Sequence, residues 1–181
     1  QPVLLNEVIS SLGLKAGDKV VDCTIGGGGH AEAILKKISP QGRLLGLDAD
    51  VDAITSASNR LASFKDQLIL VNNNFSNLFA LTQENDFTSV DAVLIDLGWS
   101  SDQLADNNKG FSFLGDGTLD LRYNNTSDLP AYEILNKFTL DQLTEIFRKF
   151  GEEPNARKLA KRIVAVRHKY PFRTVADLLN V

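Results

Sequence analysis

Residues 19–30 read KVVDCTIGGGGH, and this segment indicates the fold of the chain. The β-rich run Lys19–Thr24 predicts a strand, the glycines that follow predict a tight turn, and a helix is predicted from His30 to Ile38. Glycines spaced as Gly26 and Gly28 let the backbone come close to a ligand, because no side chain blocks the approach. Such a turn also occurs where a strand simply connects tightly to a helix, so by itself it is a weak signal of binding.

Three more strand-like runs alternate with helical stretches after this segment. They are residues 43–48, 67–71 and 90–96. This alternation is typical of parallel strands joined by right-handed crossovers. Four strands in this order predict an α/β fold whose sheet is the first half of a doubly wound, Rossmann-like sheet.

The pattern changes after the fourth predicted strand. Residues 97–128 are rich in Gly, Ser, Asn and Asp and predict a long functional loop. Helical patterns follow at residues 132–136, 140–150 and 155–169. We therefore place a domain boundary near residue 104, with a ligand-binding α/β domain at 1–103 and a helical domain at 104–181.

The composition is that of an ordinary globular protein, with 43% hydrophobic and 23% charged residues among 181. No apolar run is long enough for a membrane helix and no signal segment is present, so we expect an intracellular, cytoplasmic protein. The single Cys23 excludes an internal disulfide, and the two histidines lie too far apart in sequence for a local metal motif. Both ends look cut, since the chain begins with Gln1 and stops inside an apolar helical pattern.

Charge is distributed unevenly along the chain. The net charge is −4, yet residues 145–181 hold nine Lys and Arg against four Asp and Glu. In the helix predicted at residues 155–169, Lys and Arg recur every few residues, so that most of them share one broad face of the helix. They are Arg157, Lys158, Lys161, Arg162, Arg167 and Lys169. This face is a candidate phosphate-binding surface, and the alternative is a solvated basic helix.

Two acidic residues stand at predicted strand ends. Asp48 lies 20 residues after Gly28, where a carboxylate accepts hydrogen bonds from both ribose hydroxyls of an adenosine. An ionised Asp22 before the turn suits the sulfonium and ammonium of S-adenosylmethionine better than the pyrophosphate of a nicotinamide dinucleotide. In the alternative interpretation, Asp22 only accepts hydrogen bonds from backbone amides of the turn.

Asp96 ends the fourth predicted strand, at the sheet edge where ligands of doubly wound folds bind. The exocyclic amine of a cytosine is a poor nucleophile because its lone pair is delocalised into the ring, so it needs an acceptor for one N–H while the methyl group is delivered. The segment 96–99 looks like a variant, without prolines, of the Asp/Asn/Ser-Pro-Pro-aromatic segment of amino-methyltransferases. We expect Asp96 to be the catalytic acceptor, and Trp99 either stacks on the target base or fills space.

Six segments occur in the order in which one known family carries them. They are residues 2–8, 22–30, 96–101, 110–113, 116–122 and 151–153. In these segments the chain resembles the bacterial small-subunit ribosomal RNA cytosine-N4 methyltransferases, the MraW or RsmH family. The resemblance implies a class I methyltransferase fold with an inserted helical domain. It also implies methyl transfer from S-adenosylmethionine to a cytosine N4 amine in small-subunit ribosomal RNA, free or in the assembled subunit.

The residue patterns and the family resemblance together imply three groups of site residues. The predicted cofactor-binding residues are Asp22, Gly26, Gly28, Gly29, His30, Asp48, Phe75, Asp96 and Gln103. The predicted substrate-binding residues are Trp99, Ser100, Ser101, Asp120, Arg122, Arg157 and Lys161. Asp96 alone is predicted to be catalytic, and no metal site is predicted.

Several of these residues have a second interpretation. His30 either positions a group at the site or only makes a hydrogen bond at the helix start. Phe75 either flanks the adenine or belongs to the core, and Asp120 with Arg122 either closes on RNA or forms a structural salt bridge. For the whole chain, the alternatives are a small-molecule or protein methyltransferase and a non-catalytic cofactor-binding or RNA-binding fragment.

Overall fold

The computed structural model describes residues 2–98, 109–123 and 129–181. The chain divides into two compact units, residues 1–98 and 99–181. The boundary predicted near residue 104 falls within 99–108, outside the described residues.

The first unit alternates strands and helices along the chain. Its elements are α1 (Leu5–Ser11), β1 (Lys19–Asp22), α2 (Gly29–Ile38), β2 (Arg43–Asp48), α3 (Val51–Arg60), β3 (Leu68–Asn72), α4 (Leu78–Glu84) and β4 (Ala92–Leu94). Two short 3₁₀ turns, Ala62–Phe64 and Phe75–Asn77, flank β3. The helices α1 and α4 were not predicted from the sequence.

The four strands form one parallel sheet in the order β3-β2-β1-β4. This is the strand order of the first half of a doubly wound sheet, which confirms the predicted α/β fold. Asp22 pairs in register with Gly46 and Leu94, so β1, β2 and β4 end at one edge. The predicted fourth strand over 90–96 was too long, because β4 pairs with β1 alone and β1 ends at Asp22.

Apolar side chains cover both faces of this sheet. On one face, α2 buries His30, Ala31, Ile34, Leu35 and Ile38, whose spacing of three and four residues places them on one side of the helix. Val20 and Leu44 complete that cluster, and both are fully buried. Burial at about 25 cal/mol per Å² of apolar surface holds α2 against β1 and thereby fixes the glycine turn between them.

The second unit is helical in its described residues. Its elements are α5 (Ala131–Lys137), α6 (Leu140–Lys149), α7 (Ala156–Val166) and α8 (Val175–Leu179). Leu143, Ile163 and Phe172 lie at the centre of its core. A capping box at Thr139 begins α6, because the Thr139 hydroxyl accepts from the Gln142 backbone N–H while the Gln142 side chain accepts from that of Thr139.

Four of the six cations named in the sequence lie on α7, and the other two, Arg167 and Lys169, follow its end. The helix ends at Val166, three residues earlier than predicted, so Lys169 lies beyond it. The Arg167 Nη1 donates to the Leu135 and Phe138 carbonyls at 3.0 and 2.6 Å. Arg167 therefore satisfies carbonyl groups at the end of α5, a structural role.

None of the helices in the described ranges combines the length and the apolar character needed to cross a membrane.

Candidate functional site

The glycine turn between β1 and α2 has the conformation that the sequence predicts for a binding turn. Gly26 has φ +49° and Gly28 has φ +77°, values that disfavour residues with a side chain. A Cβ on Gly28 would lie 3.1 Å from Leu61 Cδ1, so this glycine also lets α3 pack closely. The space in front of Gly26 is open, since a Cβ there would meet only the Thr24 carbonyl oxygen, 4.0 Å away. Backbone of the turn is thus accessible to a ligand at Gly26.

Asp22 lies at the end of β1 and is buried, with 1% of its surface exposed. Its Oδ1 accepts a hydrogen bond from the Thr24 N–H at 3.1 Å, whereas Oδ2 has no hydrogen-bond partner among the described residues. Burial raises the pKa of Asp22 to about 7, and the nearby charges of Asp48 and Asp96 act in the same direction. Without a cation beside it, burial therefore disfavours the ionised Asp22 that the sequence predicts for a ligand-bound site.

The alternative interpretation of Asp22, as an acceptor for backbone amides of the turn, accounts for Oδ1, which accepts from the Thr24 N–H. It leaves Oδ2 unexplained, because this oxygen is buried and has no hydrogen-bond partner among the described residues. A cationic ligand next to this oxygen would stabilise the ionised form and replace the solvation that burial removes. The residue therefore fits a site for a positively charged group.

Asp48, at the end of β2, is half-buried and holds the turn in place. Its Oδ2 accepts from the Gly26 N–H and its Oδ1 from the Asp50 N–H, both at 2.9 Å. Burial raises the pKa of Asp48 against these opposing hydrogen bonds. Each carboxylate oxygen can accept two hydrogen bonds, so each retains capacity for a hydroxyl group of a ligand.

Asp96 follows β4 and is tied to β1 through Thr24. The Asp96 N–H donates to Thr24 Oγ1 at 2.8 Å, while the Asp96 side chain is 54% exposed. Its Oδ2 lies 3.7 Å from Nδ1 of His30, the second residue of α2. The sheet therefore places three carboxylates, from β1, β2 and β4, at one edge around an open glycine turn.

The sequence of the whole chain, residues 1–181, matches the MraW methylase family. The chain belongs to this family. The family resemblance predicted from the six segments is thereby confirmed.

Curated relatives of this MraW family chain carry the name ribosomal RNA small subunit methyltransferase H. One from Clostridium botulinum (strain Loch Maree) is 42% identical over 179 residues, which are 99% of this chain and 58% of the relative. One from Dehalococcoides mccartyi (strain ATCC BAA-2100) is 44% identical over 177 residues, 98% of this chain and 50% of the relative. The chain thus spans about half the length of the curated relatives it matches. A crystal structure of an rRNA methylase from Streptococcus thermophilus is 19% identical, with a TM-score of 0.44 over 54% of this chain and 55% of that chain.

The other residues of this MraW family chain that are predicted to bind the cofactor are Phe75, Gly29 and Gln103. Phe75 begins a 3₁₀ turn after β3 and is 40% exposed, so the interpretation of Phe75 as a core residue is wrong. Gly29 begins α2 beneath the N-terminal segment, where a Cβ would clash with the Pro2 ring. Gln103 lies outside the described residues, as do Trp99, Ser100 and Ser101 among the predicted substrate residues.

Three of the predicted substrate residues of the second unit form ion pairs within that unit. The Arg122 side chain donates to both Asp120 oxygens, at 2.6 and 2.8 Å, and lowers the pKa of Asp120. The salt bridge weighed for this pair is therefore present, and a role in closing on RNA stays a prediction. Arg157 pairs with Asp141 at 3.1 Å, whereas Lys161 is exposed on α7.

Two contributors to the site were missed in the sequence analysis. Thr24 joins the ends of β1 and β4 through its hydroxyl, and a threonine just beyond a strand carried no signal of its own. The Val3 carbonyl oxygen contacts Nε2 of His30 at 3.1 Å. Its only sequence signal was that Val3 belongs to the first of the six family segments.

Proposed function

We propose that the full-length gene product transfers a methyl group from S-adenosylmethionine to the N4 amine of a cytosine in small-subunit ribosomal RNA. The observation that carries the proposal is the convergence of Asp22, Asp48 and Asp96 on one sheet edge beside an open glycine turn. Family membership and the names of the curated relatives support the same reading.

The residues present fit this cofactor. The unsatisfied Asp22 Oδ2 suits a cation, the remaining acceptor capacity of Asp48 suits ribose hydroxyls, and exposed Phe75 offers a face for adenine. Other residues proposed to hold the cofactor are Gly26, Gly28, Gly29, His30, Asp96 and Gln103. When bound, S-adenosylmethionine supplies an electrophilic methyl group on a sulfonium.

Asp96 is the proposed acceptor for the amine. Its side chain is more than half exposed, while the bond from its N–H to Thr24 fixes the backbone that carries it. Accepting one N–H would leave the amine lone pair free to attack and would remove the proton that N4 loses. Most of the rate enhancement then comes from positioning the two reactants.

The second unit is proposed to bind the RNA. Lys158 and Lys161 are exposed on α7, and Arg157 takes part although Asp141 offsets its charge. Asp120 and Arg122, with residues 99–101, are the other proposed RNA contacts. Because the proposed substrate is small-subunit ribosomal RNA, free or in the assembled subunit, the proposed place of action is the cytoplasm.

Two measurements test the proposal. Titration calorimetry on the chain, shown to be folded by circular dichroism, should detect binding of S-adenosylmethionine and of S-adenosylhomocysteine. The full-length gene product should then label small ribosomal subunits from a strain lacking the modification, at a cytosine N4 position. Absence of binding to the full-length product, or labelling of protein instead of RNA, would reject the proposal.

We predict that Asp48→Ala weakens binding of S-adenosylmethionine by ~1.5–3 kcal/mol, because a charge-assisted pair of hydrogen bonds to the ribose is lost. The change also removes the acceptor of the Gly26 and Asp50 N–H groups, so melting curves must first establish that the variant is folded. Asp66→Ala removes an exposed carboxylate of the same unit and should bind as the parent does. Competition by NAD at micromolar concentration would instead favour a dinucleotide site.

We predict that Lys158→Glu with Lys161→Glu weakens binding to a ribosomal RNA fragment and lowers the slope of log K against log salt. Each lost phosphate contact reduces that slope by about 0.7 to 0.9. The matched control is Lys65→Glu, which reverses an exposed charge in the first unit. Equal losses in the control and in the α7 variants would show that total charge, and not this face, determines the affinity.

A further inference from the structure

His30 lies between a backbone carbonyl and the proposed catalytic carboxylate. Its Nε2 is 3.1 Å from the Val3 carbonyl oxygen, and its Nδ1 is 3.7 Å from Asp96 Oδ2. The imidazole is buried, with 10% of the side chain exposed, so its two ring nitrogens face these two groups and not bulk water.

The Val3 carbonyl determines which nitrogen carries the hydrogen. A carbonyl oxygen can only accept, so Nε2 must donate, and in the neutral ring Nδ1 then holds the lone pair. In that tautomer the Nδ1 lone pair faces Asp96, whose Oδ2 lies 3.7 Å away, farther than a hydrogen bond.

The N-terminal segment holds the ring in this orientation. Pro2 packs so closely over Gly29 that any larger residue there would clash with the proline ring. Leu4 has φ +50° and directs the chain from Val3 into α1. The Val3 carbonyl oxygen faces His30 in this arrangement and is the acceptor that selects its tautomer.

We propose that His30 is a positioning residue that acts through Asp96 and accepts, at Nδ1, the proton that Asp96 removes from the amine. This inference rests on the proposed function. In the balanced step, N4 forms a bond to the methyl carbon, the carbon–sulfur bond breaks and its electron pair stays on sulfur. One N4 proton passes to Asp96 and then to Nδ1, which leaves an imidazolium beside an aspartate carboxylate. The imidazolium releases the proton to solvent before the next turnover.

The tautomer can be measured without any activity. Only two histidines occur in the chain, so long-range ¹H–¹⁵N spectra resolve His30 from His168, which is exposed and serves as the internal control. The expected result is a hydrogen fixed on Nε2 of His30 and a mixture of tautomers at His168. A hydrogen fixed on Nδ1 of His30 would overturn the proposal.

Two substitutions separate the two ends of the ring in the full-length gene product. Gln at position 30 can still donate to the Val3 carbonyl but presents nothing toward Asp96, whereas Asn can still contact Asp96 but cannot accept a proton. At saturating cofactor, both His30→Gln and His30→Asn should lower kcat at least ~10-fold, in addition to any weakening of S-adenosylmethionine binding that follows from the proposed contact of His30 with the cofactor.

Three other outcomes would reject either the role proposed for His30 or the proposed methyl transfer. Weaker cofactor binding with parental kcat at saturating cofactor would limit His30 to holding the cofactor, and parental kcat and binding in both variants would remove it from the site. A parent that binds the cofactor but transfers no methyl group would reject the proposed function itself. That result is distinguishable, because it appears before any substitution is made.

Discussion

Asp96→Ala in the full-length gene product is expected to abolish methylation of the cytosine amine and to leave the melting temperature within a few degrees of the parent. The Asp96 side chain is 54% exposed and approaches His30 only to 3.7 Å, so little folding energy depends on it. The bond that fixes the loop, from the Asp96 N–H to Thr24 Oγ1, involves the backbone and survives the substitution. Loss of a proton acceptor in the transition state costs on the order of 10²- to 10⁴-fold in rate.

Asp96→Asn is the matched control, because asparagine has nearly the same shape as aspartate. It retains one acceptor oxygen but cannot take the proton, so we expect its rate to lie between those of the parent and the alanine variant. Single-turnover labelling of small ribosomal subunits, with cofactor binding measured in parallel, distinguishes a lost reaction from lost affinity. If Asp96→Ala labelled RNA at near-parental rates, the acceptor would have to be a backbone carbonyl such as that of Leu97 or Gly98.

The sheet and its ligand edge could be predicted from the sequence because the information is local. Each strand is a short β-rich or apolar run, and the residues at or just beyond three strand ends are Asp22, Asp48 and Asp96. Parallel strands have their carboxyl ends on one edge, so chain order alone predicts that these carboxylates converge. The helices α1 and α4 were missed since each has only seven residues, too few for a periodic pattern to stand out.

The chemical state of the site depends on contacts that the sequence does not display. Burial of Asp22 arises from packing of the sheet between helices, and this burial changes an expected carboxylate into a group with a pKa of about 7. The contact between His30 and Val3 joins residues 27 positions apart. Conversely, the sequence does not distinguish Arg167 from the cations of α7, and only the tertiary structure shows that Arg167 donates to the Leu135 and Phe138 carbonyls at the end of α5.

The second large effect is expected at Asp22, where Asp22→Asn should stabilise the ligand-free protein at alkaline pH. The folded pKa of about 7 lies above the ordinary value of 3.8, so the folded state binds the proton more tightly than the unfolded state. The stability that this group contributes is complete below pH ~4 and is lost as pH rises through about 7. A shift of this size corresponds to at most ~4 kcal/mol in the free energy of unfolding.

Urea unfolding at pH 5 and pH 8 measures how much the free energy of unfolding of each protein changes over this range. Between these values the parent should lose up to a few kcal/mol more stability than Asp22→Asn, because asparagine does not titrate. The ~1–3 kcal/mol cost of a buried carboxamide without partners is the same at both pH values and lowers only the net stabilisation of the variant at pH 8. The control is Asp177→Asn, since backbone hydrogen bonds from Thr174 and Arg173 lower the pKa of Asp177 and its stabilisation is lost as pH falls. Identical pH dependence in parent and Asp22→Asn would show that Asp22 does not titrate in this range.

Cofactor binding should respond to Asp22→Asn in the opposite sense to stability. In the parent, affinity for S-adenosylmethionine should rise as pH increases through about 7, because ionisation of Asp22 provides the charge that faces the cation. Asn cannot ionise, so the variant should bind on the order of 10²-fold more weakly at pH 8, and the rise with pH should be smaller or absent. S-adenosylhomocysteine lacks the sulfonium charge and should lose less affinity than S-adenosylmethionine. Equal losses for the two ligands would mean that Asp22 recognises a part they share, such as the ammonium group, and not the sulfonium that carries the reacting methyl group.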